Sequence, residues 1–441
     1  MHRLIEYLFF LILSCFIYGC MSTPDRQALI PYNDSIQNTV SRLQKINSLD
    51  DLRSLPATDF DLAQAVLFIN LQTQPDIDVD RYIDYIDNLS AELAYHARNK
   101  KSGKEKAALI SDFIWEKGFI CDQPYWMSFK TNQFYEMWLM DYSNFVALLD
   151  TKKGNCMTFS LLYLILAQRV GFPIYGALIP SHIFVRFDDG NYVCNMEPTN
   201  NGHFVSDYEY FNTFRSDFDH LAPLNGSFEK KFSVYYLRNL TNKQTLGCFL
   251  MNVAMVTINN DNFDDGLRLL LLANQLNPVD PDILNNLGNV LAMKKRYDIA
   301  LDAYNRQLSA TPFKAKAYYN IGAAYKELGN PVQAEHSFKL AVEEKPYTFH
   351  DYWSITLAHY ELGDYDTALA RMDKIVHFDN KHCRAWYYKA RVSAQQQDYS
   401  KAIDCLSKAV TANPISKRWA VRDNVFIQMI DDPRFRRITE Q

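Results

Sequence analysis

The sequence predicts an α+β core with a helical N-terminal region, followed by an all-α solenoid of short repeats. Three observations point there. A residue pattern recurs every 34 residues through the C-terminal half. The middle of the chain places an apolar helix before strands that flank a turn at Asp189-Gly190. Glycine supplies only 15 of 441 residues, about half its usual share, which disfavours a turn-rich all-β fold.

Composition narrows the function classes. The chain is 48% hydrophobic and 22% charged, so it carries ample core and is not a disordered polymer. Its net charge is -5, from 46 Lys+Arg against 51 Asp+Glu. No Lys/Arg-rich run stands out, which argues against nucleic acid as a main partner.

The N-terminus reads as an address. Met1-His2-Arg3 precedes an apolar run from Tyr7 to Tyr18, too short for the roughly 20 residues of a membrane-spanning helix. A basic start, a short apolar stretch and a small residue before Cys20 fit an export signal over residues 1–20. Ile17-Tyr18-Gly19-Cys20 resembles a bacterial lipoprotein box, although Tyr18 stands where a small residue is usual. The resemblance implies acylation of Cys20, membrane attachment through it, and an outer-membrane lipoprotein of the bacterial envelope that faces the periplasm. Residues 21–54 are read as a linker. Outside the leader six cysteines remain, at 121, 156, 194, 248, 383 and 405, with no C-x-x-C pair. Neither zinc nor thioredoxin-type chemistry is indicated, and no cofactor or metal is expected.

Within 58–117 the apolar spacing is helical: Ile83, Ile86, Leu89 and Leu93 form one stripe, and Ala107, Ile110, Phe113 and Ile114 another. Thr58 or Asp59 is the expected N-cap. An aromatic stretch follows Gly118, with Tyr125, Trp126, Phe129, Phe134, Tyr135 and Trp138. It suits packing against the next helix better than a substrate cleft.

Chemistry concentrates at Gly154-Asn155-Cys156. The turn residues precede an apolar helix from Met157 to Arg169, stopped by Gly171 and Pro173, so Cys156 sits at a helix N-terminus. The helix dipole there favours a thiolate. Strands 174–179, 182–187 and 192–197 follow. With a two-residue turn at Asp189-Gly190, Asp188 pairs with Asn191 and His182 lies opposite Glu197 on one face. A one-residue slip would separate them. A thiol nucleophile needs an imidazole base, and the base needs a third group to fix its tautomer. Cys156, His182 and Glu197 are therefore the candidate catalytic residues, with Asn195 as an alternative orienting group.

These segments resemble a known family. Gly154-Asn155-Cys156, Leu162-Tyr163-Leu164 with Ala167-Gln168-Arg169, Pro180-x-His182-x-Phe184-Val185-Arg186 and Asn195-x-Glu197-x-Thr199-Asn200-Asn201-Gly202 are similar to the bacterial transglutaminase-like family. The closest branch is fused to tetratricopeptide repeats. The resemblance implies a papain-like α+β domain over residues 55–240, with Cys156 as nucleophile, His182 as base and Glu197 as third member. Many members carry Asp in the last place. The Cys156 N–H would be one oxyanion donor, with Asn144 or Asn155 as weak candidates for a second.

In the C-terminal half, Gly266, Ala300, Ala334, Ala368 and Ala402 are 34 residues apart. Twelve residues later come Pro278, Pro312, Pro346, Asn380 and Pro414; twelve earlier come Ala254, Gly288, Gly322, Thr356 and Ala390. The pattern resembles the tetratricopeptide repeat, a helix-turn-helix unit. Five repeats fit 247–416, and 417–441 reads as a capping helix. Asp261 to Gly266 is an inter-helix turn rather than a calcium loop, since Phe263 and Leu272 occupy ligand positions. The repeats are expected to hold a protein or peptide partner in their groove. The first reading is an envelope lipoprotein that hydrolyses or transamidates an amide or peptide through a thioester. The alternative is a non-catalytic interaction scaffold in which the transglutaminase-like domain is a relic.

Overall fold

The computed structural model describes Met21 and residues 24–121, 144–213, 221–222 and 226–440. The leader with Cys20 and the aromatic residues from Tyr125 to Trp138 lie outside the described residues. Among the described residues two compact units emerge: one comprises the chain up to Tyr210 together with Tyr236–Asn277, the other Phe211–Tyr235 and Pro278 onward.

The first unit opens with α1 (Arg26–Val40), capped by Asp25, and α2 (Leu49–Arg53), capped by Ser48. These replace the linker expected over 21–54. Burial explains the difference: Ile36 and Leu52 are buried, and the Gln37 amide donates to Asp87 at 3.1 Å. Their mostly polar sequence conceals a few apolar anchors. Helices α3 (Leu62–Leu71), α4 (Val79–Ala97) and α5 (Gly103–Glu116) follow. The cap of α3 is Asp61, not Thr58 or Asp59, because Asp61 accepts from the Gln64 N–H while residues 44 and 60 form a short parallel bridge. Ser102 and Glu105 form a capping box on α5.

Next come α6 (Phe145–Thr151) and α7 (Cys156–Val170). Helix α7 is buried along almost its whole length and packs on the sheet, as its all-round apolar sequence requires. Gly171 ends it at φ 72°, the left-handed conformation glycine adopts readily. Near its end Arg169 is fully buried, with its Nη2 3.1 Å from Asp61 and its Nε 2.9 Å from Asp87. That arrangement ties α7 to α3 and α4.

The antiparallel sheet is ordered β1-β2-β3-β4, with β1 Ile174–Ile179, β2 His182–Asp188, β3 Val193–Glu197 and β4 His203–Val205. The sequence pattern does not reveal β4, which is only three residues long. The turn between β2 and β3 also differs from expectation. Asp188 pairs with Val193, so residues 189–192 form a four-residue loop. Asp189 explains the longer loop: its carboxylate accepts from the N–H groups of Asn191 (2.9 Å) and Tyr192 (2.8 Å). Register therefore shifts by two residues from the expected pairing.

Helix α8 (Asp207–Thr213) follows β4, and α9 (Gly226–Tyr235) precedes the repeats. The first repeat pair, α10 (Asn242–Asn259) and α11 (Phe263–Leu276), belongs to the first unit. Helix α10 packs on α3 and β1, where a Cβ at Gly176 would lie 2.6 Å from Thr245 Oγ1. The first repeat pair thus packs on the sheet of the first unit.

Four further pairs build the second unit: α12 (Pro281–Met293) with α13 (Tyr297–Ala310), α14 (Ala315–Glu327) with α15 (Pro331–Glu343), α16 (Phe349–Glu361) with α17 (Tyr365–Phe378), and α18 (Cys383–Gln395) with α19 (Tyr399–Ala412). The small positions are close approaches: a Cβ at Gly288 would lie 2.3 Å from the Tyr304 ring, and one at Gly322 2.6 Å from Phe338. The expected single capping helix is instead α20 (Ile415–Arg422), a 3-10 turn (Asn424–Met429) and α21 (Pro433–Glu440). Asp423 caps the 3-10 turn, and Pro433 starts a new helix because its ring cannot sit in a helix interior. Phe426, Met429 and Phe435 bury themselves against the last pair.

Candidate functional site

Asn155 is the N-cap of α7, and its side chain accepts from the Thr158 N–H at 3.0 Å. Thr158 Oγ1 accepts from the Asn155 N–H at 3.0 Å, which closes a capping box. This fixes Cys156 as the first residue of the helix. Its N–H belongs to the first turn, which has no intrahelical acceptor. Gly154 is required next to it, since a Cβ there would stand 2.4 Å from Thr158 Oγ1. Cys156 is 8% exposed.

His182 begins β2, directly after a tight turn in which Ser181 adopts φ 60°. Its Nε2 lies 2.8 Å from Glu197 Oε2, and the Cys156 sulfur is close enough to influence the charge of the ring. Asn195 does not orient this imidazole. It accepts from Arg186 Nε at 2.7 Å and donates to Asp207 at 2.8 Å, so it braces the sheet instead.

Glu197 is held from three sides. Besides His182, Oε2 accepts from the Tyr210 hydroxyl at 2.8 Å. Oε1 accepts from the Thr199 N–H at 3.1 Å and from its hydroxyl at 2.5 Å. Tyr210 is buried and stacks on Phe184 with ring centroids 4.0 Å apart. Neither Tyr210 nor Thr199 stands out in the sequence as a site residue. Thr199 could have been found from its place two residues beyond Glu197; Tyr210 offers no local signal. The Gly202 N–H donates to the Glu197 carbonyl at 3.0 Å, so the Asn201-Gly202 turn also supports the carboxylate.

Electrostatics favour a charged pair. Burial alone would depress the His182 pKa, but the Glu197 charge and the Cys156 sulfur outweigh it and push the imidazole up to about 10. Burial likewise tends to raise Glu197, and the His182 charge with the hydrogen bonds from His182, Thr199 and Tyr210 holds it below its ordinary value. The arrangement therefore sets a cysteine beside a charged, oriented imidazole. The side-chain oxygens of Asn144 and Asn155 both serve as helix caps. Among the described residues, no group of three His, Cys, Asp or Glu side chains could hold a metal ion.

Comparison with known proteins fits this architecture. The transglutaminase-like superfamily matches residues 80–247, and tetratricopeptide repeats match 257–315, 315–348 and 357–415. The chain thus carries a transglutaminase-like domain followed by tetratricopeptide repeats. Similar solved structures include YrrB, described as a TPR protein with an unusual peptide-binding site. It is 22% identical over 38% of this chain and 86% of its own, with a TM-score of 0.26. A thermophilic TPR protein of Thermus thermophilus is 20% identical over 40% of this chain and 96% of its own, with a TM-score of 0.35. PilW, a type IV pilus biogenesis factor, is 13% identical over 44% of this chain and 90% of its own, with a TM-score of 0.34. No curated protein matches the chain.

Proposed function

We propose that the transglutaminase-like domain performs acyl transfer through Cys156, His182 and Glu197, and that the repeats hold a protein or peptide partner. The observation that carries the enzymatic reading is the buried 2.8 Å contact between His182 Nε2 and Glu197 Oε2, beside a cysteine on the first turn of α7. Cys156 Sγ, as the thiolate of an ion pair with His182, attacks the carbonyl carbon of a carboxamide or peptide. The oxyanion of the tetrahedral intermediate takes a hydrogen bond from the Cys156 N–H. His182 then gives its proton to the leaving nitrogen, the C–N bond breaks, and a thioester and an amine result. Water or a second amine, deprotonated by His182, attacks the thioester; the C–S bond breaks, the acid or a new amide leaves, and Cys156 is restored. Glu197 fixes the tautomer throughout, and Tyr210 and Thr199 fix Glu197.

Anchorage in a bacterial envelope through acylated Cys20 belongs to the same reading. Fatty-acid labelling in cells, compared between wild type and Cys20→Ala, tests it.

The decisive experiment for the enzyme is site-resolved alkylation with iodoacetamide between pH 5 and 9. An ion pair with His182 makes Cys156 react faster than Cys194, and His182→Ala removes that advantage. A Cys156 that reacts no faster than Cys194, unchanged in His182→Ala, would leave the non-catalytic scaffold as the correct reading.

A further inference from the structure

A cavity of about 750 Å³ lies in the last two repeats and the cap of the second unit. This is a size typical of small-ligand and side-chain pockets. Its apolar walls are Trp353 from α16, Tyr387 and Tyr388 from α18, and Trp419 from α20. Tyr387 stands edge-on to Trp419 at 5.4 Å, and Trp353 edge-on to Tyr388 at 5.7 Å. Such packing holds the aromatic faces in fixed places rather than leaving them to collapse.

The charges of this cavity are one-sided. Three arginines (384, 391 and 422) line it against one carboxylate, Asp423. That carboxylate is already engaged: Arg391 Nε approaches its Oδ2 at 2.9 Å and the Tyr387 hydroxyl donates to it at 2.8 Å. Arg391 is fixed further by lying 5.0 Å from the ring centres of both Tyr360 and Tyr388. Arg384 and Arg422 are exposed and have no ion-pair partner among the described residues. The sequence builds this bias by repeat position. Asp282, Lys316, His350 and Arg384 are successive 34-residue equivalents on the first helices of their repeats, so the acidic residue at this position gives way to a cation at the capped end.

We propose that this pocket binds an acidic peptide segment, whose side-chain carboxylates pair with Arg384 and Arg422 while a neighbouring apolar side chain sits among Trp353, Tyr387 and Trp419. Planar guanidinium groups grip carboxylates through paired hydrogen bonds, and the aromatic walls offer an apolar surface to the neighbouring side chain. Asp423 locks Arg391 as part of the wall, so the two unpaired arginines carry the selectivity. The inference rests on the reading of the repeats as a protein-binding array and assigns that array a ligand chemistry.

Two measurements on the full chain test it. Random peptides displayed on phage are selected against the protein, and a fluorescein-labelled Glu-Glu-Phe-Glu-Glu peptide is titrated by anisotropy beside its Gln-Gln-Phe-Gln-Gln counterpart. Selection is expected to enrich Asp and Glu next to an aromatic or aliphatic residue. The acidic peptide should bind about tenfold or more tightly than the neutral one and weaken with added salt. Arg384→Glu with Arg422→Glu should abolish that preference, and circular dichroism should remain that of wild type because both side chains are exposed. Enrichment of neutral or basic peptides overturns the acidic assignment while the protein-binding reading stands. No enrichment at all overturns both. Tighter binding of a labelled oligothymidylate than of the acidic peptide overturns the peptide assignment.

Discussion

Replacing Glu197 by glutamine isolates the carboxylate's charge while preserving its shape. Every group facing that carboxylate donates: His182 Nε2–H and Tyr210 O–H to Oε2, and Thr199 N–H and O–H to Oε1. Glutamine offers one acceptor oxygen and one NH₂ group, which has only hydrogens to give. Whichever way the amide turns, one side of the site becomes donor against donor. Since His182 and Glu197 are both almost fully buried, water cannot repair the mismatch. A charge-assisted hydrogen bond contributes about 1.5–3 kcal/mol, and losing it lowers the imidazole's affinity for its proton by a comparable amount. The thiolate–imidazolium form of Cys156 and His182 should then become roughly 10- to 150-fold less populated. The assay is the rate of Cys156 carbamidomethylation at pH 6, read site by site by peptide mass spectrometry. Cys194, on the opposite face of β3 from Glu197, serves as the internal reference and should not change. Global stability in urea at pH 7 should fall by about 2–3 kcal/mol. If Cys156 reactivity stays within threefold of wild type while the variant is folded, Glu197 does not govern the imidazole and the reasoning fails.

Three further outcomes follow from the same packing. Arg169→Leu should destabilise by about 3–5 kcal/mol in urea denaturation, because Asp61 and Asp87 lose their buried cation; a loss under about 1 kcal/mol would show the cluster to be inert. Gly202→Ala should lower the yield of folded protein and its thermal midpoint, since φ is 69° and the new methyl would lie 2.3 Å from Ser111 Oγ; an unchanged midpoint would mean the turn relaxes freely. His182 is raised in the folded state to about 10 from 6.5, so its contribution to stability is complete below about pH 6.5 and disappears as pH climbs towards 10. Glu197 is lowered, so its contribution is present above about pH 4.3 and disappears on acidification through its folded value. Urea midpoints measured from about pH 2 to 10 should fall at both ends in wild type, and the alkaline fall should flatten in His182→Gln.

The repeat helices were legible because each contact makes the same local demand. A small residue at 288 or 322 is dictated by the ring of Tyr304 or Phe338 that covers it, and that demand returns every 34 residues. Helix α7 was legible for a similar reason, with turn residues at one end and a left-handed glycine at the other. What escaped the sequence depends on partners far along the chain. Arg169 meets carboxylates at 61 and 87, and no local pattern marks such a meeting. Helices α1 and α2 passed for a linker because few of their residues are buried, although those few are buried completely. Tyr210 reaches Glu197 from α8, across a separation in sequence that no local pattern marks.

The hairpin shows how a wrong turn can still yield the right neighbours. Reading Asp189-Gly190 as a two-residue turn misplaced the register, yet His182 and Glu197 are in contact. Side chains alternate with period two, so a slip of two residues keeps every residue on its face, whereas a slip of one would exchange the faces. The pairs present, Val185 with Met196, Phe187 with Cys194 and Arg186 with Asn195, match apolar with apolar and polar with polar. An odd slip would set Val185 or Phe187 against Asn195, which penalises every odd register and leaves the even ones. Continuing the observed register puts Glu197 opposite Phe184, so it reaches His182 along the diagonal. Diagonal neighbours lie roughly 7–8 Å apart across a sheet, farther than directly opposed residues. The extra methylene of glutamate over aspartate spans that added distance, which gives a physical reason for Glu rather than Asp at position 197.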